Sequence, residues 1–115
     1  MSDEKIICAL ETFNLPIGNK RIYENELDGN YNYFIFRRKG LKNSGCKRYV
    51  RKIEIAYVYE GEQKISDYEI IEKIEQLGLN FISAENDDFQ LADTNNWIDV
   101  NTYIFERPER SEKNV

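Results

Sequence analysis

The sequence contains no histidine, only two cysteines and two prolines, and no long apolar run. Without histidine, no imidazole can act as a general base, a proton shuttle or a metal ligand. Two cysteines without histidine are also too few for an ordinary closed zinc site. The apolar stretches fall well short of the roughly 20 residues that a membrane-spanning helix needs. These absences exclude histidine-dependent enzymes, ordinary structural zinc domains and helical membrane proteins.

The residues that are present suffice for one compact domain. Hydrophobic side chains make up 41% of the 115 residues, and eight Tyr and six Phe supply most of the aromatic ones, which is enough for a single core. We expect one domain over residues 1–108 and a flexible polar tail at 109–115. Met1–Lys5 carries acids where a signal peptide has basic residues, so a cytosolic location is expected.

No sequence motif of an enzyme is recognisable. The phosphate-binding patterns G-x-x-x-x-G-K-[ST] and G-x-G-x-x-G are both absent. Asp87 and Asp88 are neighbouring acids in a polar stretch, where carboxylates are ordinarily solvated. Cys46 has basic neighbours but no base partner, and Cys8, in an apolar run, is predicted to be a small buried residue. We therefore expect no enzymatic activity, no catalytic residues, no cofactor and no metal.

Two segments show the spacing of amphipathic helices. Ser66 and Glu69 have the separation of a capping box, in which each side chain caps the backbone amide of the other residue. A helix is expected over Ser66–Leu77, since Gly78 is typical of the position just past a helix end. Ser2–Phe13 is predicted as the other helix, with acids in its first turn. The apolar stripes that should face the core comprise Ile6, Ile7, Leu10, Ile70, Ile71, Ile74 and Leu77.

The remaining apolar segments have the composition of strands. Tyr31–Arg38 is apolar on both faces, which predicts that the domain's own helices or another subunit cover both. Tyr49–Tyr59 is a second strand, and the Gly- and Lys-rich connection Lys39–Lys47 makes the pair an antiparallel hairpin with a long, mobile tip. Shorter or later extended pieces are predicted at Lys20–Tyr23, Leu79–Ala84 and Asn96–Glu106, with a turn at Asn86–Asp88 and a strand end at Pro108.

This order of elements predicts an α+β domain. We expect an antiparallel sheet of about four to five strands, with two helices packed on one face, in the order α-β-β-α-β-β. The sequence shows no internal repeat, low-complexity tract or domain linker.

The formal net charge of −5 conceals a strong segregation of charge. Arg37–Lys52 holds eight of the 16 basic residues and no acidic residue. Glu60–Asp99, by contrast, holds 11 acidic residues and only two basic ones. Three interpretations stay open. The basic run is a solvated loop, a surface for nucleic-acid phosphates, or a hairpin that faces an acidic surface of another subunit. The acidic segment would repel phosphates, which argues against a general nucleic-acid binder.

Five elements follow one another over roughly residues 2–107: the N-terminal helix, the aromatic strand Asn32–Phe36, its partner Arg51–Tyr59, the helix Ser66–Leu77 and the strand Trp97–Glu106. Their order resembles the tail terminator and tail-completion proteins of long-tailed bacteriophages, the head-to-tail joining group. The resemblance implies a structural virion protein without catalysis. Such a protein forms a hexameric ring that caps the tail tube, terminates tail growth and provides the head-tail joining surface.

The resemblance also implies partners and a location. The partners would be other copies of the chain, the tail tube protein and a head-completion or connector protein. DNA would pass through the ring without specific binding, and no membrane would be involved. The protein would reside in the virion, at the head-tail interface of the tail, and in the host cytoplasm during viral tail assembly.

An interface with other subunits or the tail tube is predicted from charge and position. It comprises Arg37, Arg38, Lys39, Lys42, Lys47, Arg48, Arg51, Asp87 and Asp88. Two alternatives to a tail terminator remain. One is a head-closure or minor capsid connector protein of the same particle, and the other is a small nucleic-acid-binding regulator that uses the basic hairpin.

Overall fold

The computed structural model describes residues 3–19, 31–46, 48–90 and 95–110. The elements within them are α1 (Asp3–Glu11), β1 (Ile17–Asn19), β2 (Tyr33–Gly45), β3 (Arg48–Glu60), α2 (Asp67–Glu75), β4 (Asn80–Gln90) and β5 (Trp97–Arg110). The predicted α+β class is confirmed. The extended piece predicted at Lys20–Tyr23, the predicted cap Ser2 and residues 111–115 of the predicted tail lie outside the described residues.

The five strands form one mixed sheet in the order β1-β2-β3-β5-β4. β2, β3, β5 and β4 are antiparallel neighbours, whereas β1 runs parallel to β2 at Phe34–Phe36. The predicted antiparallel sheet and the predicted order α-β-β-α-β-β were therefore wrong. Parallel neighbours need a connection of a dozen or more residues, and residues 20–32 supply that length. β1 escaped prediction because two of its three residues, Gly18 and Asn19, are poor strand formers.

Both helices pack on the same face of the sheet. Ile6 and Leu10 of α1 and Ile70 and Ile74 of α2 are fully buried in one apolar cluster. Alternate residues of the strands complete the cluster, among them Phe34, Phe36, Ile53, Ile55, Tyr57, Tyr103 and Phe105. This arrangement agrees with the expected helix layer on one side of the sheet. Within the described ranges, no helix is long and apolar enough to cross a membrane.

The N-terminus of α2 is capped as the sequence predicts. Ser66 has an extended backbone (φ −71°, ψ 153°), and its Oγ accepts a hydrogen bond of 3.2 Å from the backbone N–H of Glu69. After the helix, Gly78 has a φ of 96°, a left-handed conformation that favours glycine. Local signals alone therefore place the start and the end of this helix to within two residues.

Replacing Ser66 with alanine should lower the free energy of unfolding by about 1 kcal/mol, because the Glu69 amide loses its acceptor at the helix end. Urea denaturation followed by far-UV circular dichroism measures the change. Ser83→Ala, at an exposed position of β4, is the control and should change the free energy by less than ~0.5 kcal/mol. Equal losses in the two variants would contradict the capping role.

The β2–β3 hairpin is longer and more regular than predicted. Most of the predicted mobile connection, Lys39–Gly45, belongs to β2 and follows β3 through two register irregularities. Gly45, the last residue of β2, has a φ of 107°, which a residue without Cβ adopts readily. Pairing with β3 overrides the weak strand propensity of Gly, Lys and Asn in this segment.

The last two strands are also longer than predicted. Asn86–Asp88, predicted as a turn, lies inside β4, and Pro108, predicted to end the last strand, lies inside β5 opposite Val50. Proline lacks a backbone donor and is tolerated where a strand has no neighbour on one side. β4 pairs with β5 only as far as Glu106. Pro108 therefore lies beyond the reach of β4, beside β3 alone among the described strands.

Candidate functional site

Past the apolar core, three strands continue together as an arm. The arm consists of Arg37–Gly45 of β2, Arg48–Lys52 of β3 and Glu106–Arg110 of β5, and it is called the basic arm below. Every residue of its β2 segment is exposed. The described residues extend over 54 × 27 × 24 Å, so the molecule is elongated. Most of the predicted interface lies on the β2–β3 hairpin, and β5 pairs with β3 as a third strand of this arm.

An ion-pair network joins the basic arm to α1. Arg107 Nη1 donates to Asp3 Oδ1 and Arg107 Nη2 donates to Glu109 Oε1, both at 2.8 Å. Arg51 Nε lies 3.3 Å from the same Glu109 oxygen, and Arg51 Nη1 donates to the carbonyl oxygen of Lys39 at 3.2 Å. Arg107 is only 4% exposed, so these bonds compensate the charge of a buried guanidinium. The network holds α1, β3 and β5 together at the base of the arm.

The pKa values in this network favour the charged forms. Burial lowers the pKa of Arg107, but its hydrogen bonds to Asp3 and Glu109 outweigh burial and raise that pKa above the ordinary value. Burial raises the pKa of Glu109, but hydrogen bonds from Arg107 and Arg51 outweigh burial and hold it below the ordinary value of 4.5. Both side chains are therefore charged at neutral pH.

Three predicted interface residues of the arm form ion pairs at its surface. Arg37 Nη1 and Lys39 Nζ each lie 3.6 Å from Glu54 Oε2, and Arg38 Nη1 lies 3.6 Å from Asp3 Oδ2. The side chains of all three basic residues are more than 40% exposed. Exposed pairs of this kind contribute at most about 1 kcal/mol each. These cations are therefore available to a further acidic partner at little cost.

The other predicted basic residues have different surroundings. Arg51 is partly buried and belongs to the network around Glu109. Lys42 and Arg48 are exposed and form no ion pair with any described residue. Lys47 lies outside the described residues. The arm thus combines internally paired basic residues with at least two cations that no described acid neutralises.

The predicted acidic interface residues, Asp87 and Asp88, are exposed on β4, and so is Glu85. We call the outer side of β4 the acidic edge. Asp88 lies directly opposite Asp99 of β5 in the strand register, and like charges in that position destabilise a sheet. Neither Asp87 nor Asp88 forms an ion pair with a basic side chain of the described residues. β3 and β5 separate the acidic edge from β2.

A polar cluster between α2 and the sheet was not anticipated from the sequence. Asp67 Oδ1 accepts hydrogen bonds from the Tyr103 hydroxyl, from Asn101 Nδ2 at 3.2 Å and from Gln63 Nε2 at 3.0 Å. Asn101 Oδ1 in turn accepts a hydrogen bond from Asn86 Nδ2. Burial, and then the hydrogen bond to Asp67, raises the pKa of Tyr103 far above its ordinary value. The hydroxyl therefore stays protonated and acts as a donor.

This cluster is best explained as a structural joint. Asp67 is the first residue of α2, where the helix dipole stabilises a negative charge. Tyr103 and Asn101 belong to β5. Their bonds fix the start of the helix on the sheet. In the part of the chain that the structure describes, no group of three or more His, Cys, Asp or Glu side chains could hold a metal ion.

The face of the sheet away from the helices is only partly covered. Tyr33 and Ile35 of β2 are half-buried there, and burial raises the pKa of Tyr33. Val58 and Ile98, on the same face, are buried. The expectation that both faces of the aromatic strand are covered therefore holds for the helix face and holds in part for the opposite face.

Both cysteine thiols are exposed, so the prediction that Cys8 is buried was wrong. Each residue advances an α-helix by about 100°, and the inward position in α1 belongs to Ile6 and Leu10. Cys8, two residues from each, consequently faces away from the core. An apolar neighbourhood in the sequence therefore did not indicate that Cys8 is buried.

No protein-family model matches this sequence, and no curated protein is significantly similar to it. The features of the molecule that bear on its function are therefore the topology of the sheet and the distribution of charge along its strands.

Proposed function

We propose that this chain is a structural subunit of a ring at the end of a bacteriophage tail tube, of the tail-terminator type. The ring stops growth of the tube and offers the surface to which the head joins. The observation that supports this function best is that the exposed basic segment Arg37–Gly45 of β2 and the acidic edge on β4 are separated in the sheet by β3 and β5.

Opposite charges on different sides of one molecule favour head-to-tail contacts between copies. Two basic arms repel each other, and so do two acidic edges, whereas an arm attracts an edge. A head-to-tail contact that is repeated by rotation closes into a ring. This arrangement fits a ring-forming subunit better than a solvated loop, for which the placement of the acids would be irrelevant.

The way in which the basic arm is held also supports a repeated contact. A contact that recurs in every subunit requires an arm of fixed direction. The buried Arg107, bonded to Asp3 of α1 and to Glu109 of the arm, supplies such a constraint. A solvated loop has no comparable need for a buried cation at its base.

Size-exclusion chromatography with light scattering tests the proposal over a range of protein concentrations. We expect a discrete species of about six subunits, which shifts towards smaller species at high ionic strength because salt screens the contact between arm and edge. Electron microscopy of the large species should show closed rings. Addition of purified tail tubes should promote assembly at lower concentrations and place the rings at tube ends.

A different result would favour the nucleic-acid-binding alternative. A chain that stays monomeric at every concentration, with or without tubes, and binds DNA with a steep dependence on salt would overturn the proposed function. Rings that bind a head connector but never a tail tube would overturn the tail-terminator assignment in favour of a head-closure protein.

A further inference from the structure

The basic arm is joined to the body of the molecule by charge rather than by apolar packing. Every buried apolar side chain among the described residues lies outside the arm. Among the described side chains of the arm, Arg107 alone is buried, at 4% exposure. Apolar burial is the dominant favourable contribution to folding, so the arm lacks the contribution that stabilises the rest of the sheet.

The ladder of hydrogen bonds inside the arm does not replace this contribution. The register of β2 against β3 is irregular between Arg38 and Leu41 and again between Asn43 and Gly45. Irregularities of this kind disrupt the ladder locally. Segments with few buried apolar contacts open at a lower free energy than the core does.

We propose that the arm is a separately ordering unit, fastened to α1 by Asp3, Glu109, Arg38, Arg51 and Arg107, and that protonation of the two carboxylates releases it while the core stays folded. These five side chains are called the latch below. A latch of this kind makes the direction of the arm sensitive to pH. This property goes beyond the proposed function and is observable on single chains, whether or not they assemble.

The latch connects four elements through two carboxylates. Asp3 Oδ1 accepts a hydrogen bond of 2.8 Å from Arg107 Nη1, and Asp3 Oδ2 lies 3.6 Å from Arg38 Nη1. Glu109 Oε1 accepts a hydrogen bond of 2.8 Å from Arg107 Nη2 and lies 3.3 Å from Arg51 Nε. Each carboxylate thus serves two guanidinium groups, and Asp3 ties α1 to both β2 and β5.

The other charged or titratable side chains described nearby do not join the latch. Tyr49 lies opposite Glu109 in the strand register, and a phenol is neutral in acid. Glu54 pairs with basic residues on the opposite face of the sheet. On α1, Glu4 and Lys5 line a groove towards α2. A change of charge in the latch therefore acts through its own two carboxylates.

Protonation of these carboxylates replaces attraction by repulsion. Three guanidinium groups and two carboxylates give the latch a net charge of +1, which becomes +3 when both carboxylates are neutral. Arg51 and Arg107 are directly opposite in the strand register, where like charges destabilise a sheet. The buried Nε of Arg107 already has no hydrogen-bond partner. A buried cation that also loses its carboxylates is strongly unfavourable.

The titration of Glu109 gives the direction of the pH dependence. Burial raises the pKa of Glu109, but hydrogen bonds from Arg107 and Arg51 prevail and hold it below its ordinary value of 4.5. Such a group contributes its full stabilisation above the ordinary value and loses it as the pH falls through the folded value. The latch is therefore closed at neutral pH and opens in acid.

Hydrogen exchange measured by mass spectrometry at a series of pH values tests the latch. The protein is kept dilute enough for light scattering to show single chains. Each exchange rate is divided by the rate of the unstructured sequence at the same pH. From about pH 7 to about pH 3, protection at residues 37–45 and 106–110 should fall by about tenfold or more. Protection at residues 53–58 and 68–75, in the core, should stay within about threefold.

A double variant reproduces the acid state at neutral pH. Asp3→Asn with Glu109→Gln keeps the shape of both side chains and removes both charges, so the arm should have low protection at every pH. Glu54→Gln with Glu106→Gln is the matched control, because it removes two carboxylates from the opposite face of the same strands. The control should keep the protection of the arm within about threefold of wild type.

The outcomes distinguish the latch from the proposed function. Loss of protection confined to the arm, in wild type under acid and in the double variant at neutral pH, would establish the latch. An arm and a core that lose protection at the same pH would contradict it, and so would a double variant that unfolds by circular dichroism or keeps a protected arm. A chain that never assembles would contradict the proposed ring and leave the latch intact.

Discussion

Replacing Arg107 with methionine is expected to lower the free energy of unfolding by about 3 kcal/mol. The guanidinium is 4% exposed and donates to Asp3 and Glu109 at 2.8 Å. Methionine keeps much of the side-chain volume but removes every donor, so the two carboxylates lose the cation that they share. Urea denaturation at neutral pH and high ionic strength measures the loss on the unassembled chain.

The matched control for this prediction is Arg48→Met. Arg48 is exposed on the same arm and has no ion pair with a described residue, so its replacement should change the free energy of unfolding by less than about 0.5 kcal/mol. Hydrogen exchange at residues 106–110 should accelerate in Arg107→Met and not in the control. Similar stability in the two variants would show that the buried network contributes little.

Acid gives a second signature of the same network. Burial raises the pKa of Glu109, but hydrogen bonds from Arg107 and Arg51 prevail and hold it below its ordinary value of 4.5. A depressed pKa contributes stability that is complete above the ordinary value and is lost as the pH falls through the folded one. The wild-type chain should therefore lose stability over this acid range. Arg107→Met should lose less over the same range, since Glu109 then keeps only Arg51.

Replacing Asp67 with alanine is expected to lower the free energy of unfolding by about 2–3 kcal/mol. Its Oδ1 accepts hydrogen bonds from Tyr103, Asn101 and Gln63. Tyr103 and Asn101 are buried, so their donors would remain without this acceptor in a place that water reaches poorly. Urea denaturation followed by far-UV circular dichroism measures the loss.

Two further variants isolate the role of Asp67. Asp87→Ala removes an exposed carboxylate from β4 and should change stability by less than about 0.5 kcal/mol. Tyr103→Phe removes one of the three donors and should cost about 1 kcal/mol. If Asp67→Ala were no more destabilising than Asp87→Ala, the cluster would not be the joint between α2 and the sheet.

The helices and the charge pattern could be derived from the sequence because their signals are local. The cap of α2 depends on Ser66 and Glu69, three residues apart, and the inward stripe depends on residues three and four apart. The basic and acidic runs occupy separate stretches of the sequence, so the segregation of charge along the chain is visible without the structure. The sequence also predicted that both kinds of charge belong to one small α+β domain.

The strand lengths could not be derived in the same way. Lys39–Gly45, Asn86–Asp88 and Pro108 all have loop-like composition, yet each lies in a strand. Their conformation is imposed by partners that are distant in sequence, such as Asn101 opposite Asn86. Pairing with a neighbouring strand outweighs the intrinsic strand propensity of a residue. Composition therefore predicted turns at positions where the strands continue.

The sequence by itself determined the class of the fold, the ends of α2 and the separation of basic from acidic residues, because each follows from neighbours within a few positions. Only the tertiary structure decided that β1 runs parallel to β2, that Arg107 and Asp3 form a part-buried pair across 104 residues, and that β3 and β5 lie between β2 and β4 in the sheet. The physical reason is that strand order and long-range ion pairs depend on which distant segments meet. That choice minimises the free energy of the whole chain and has no signal in any local stretch.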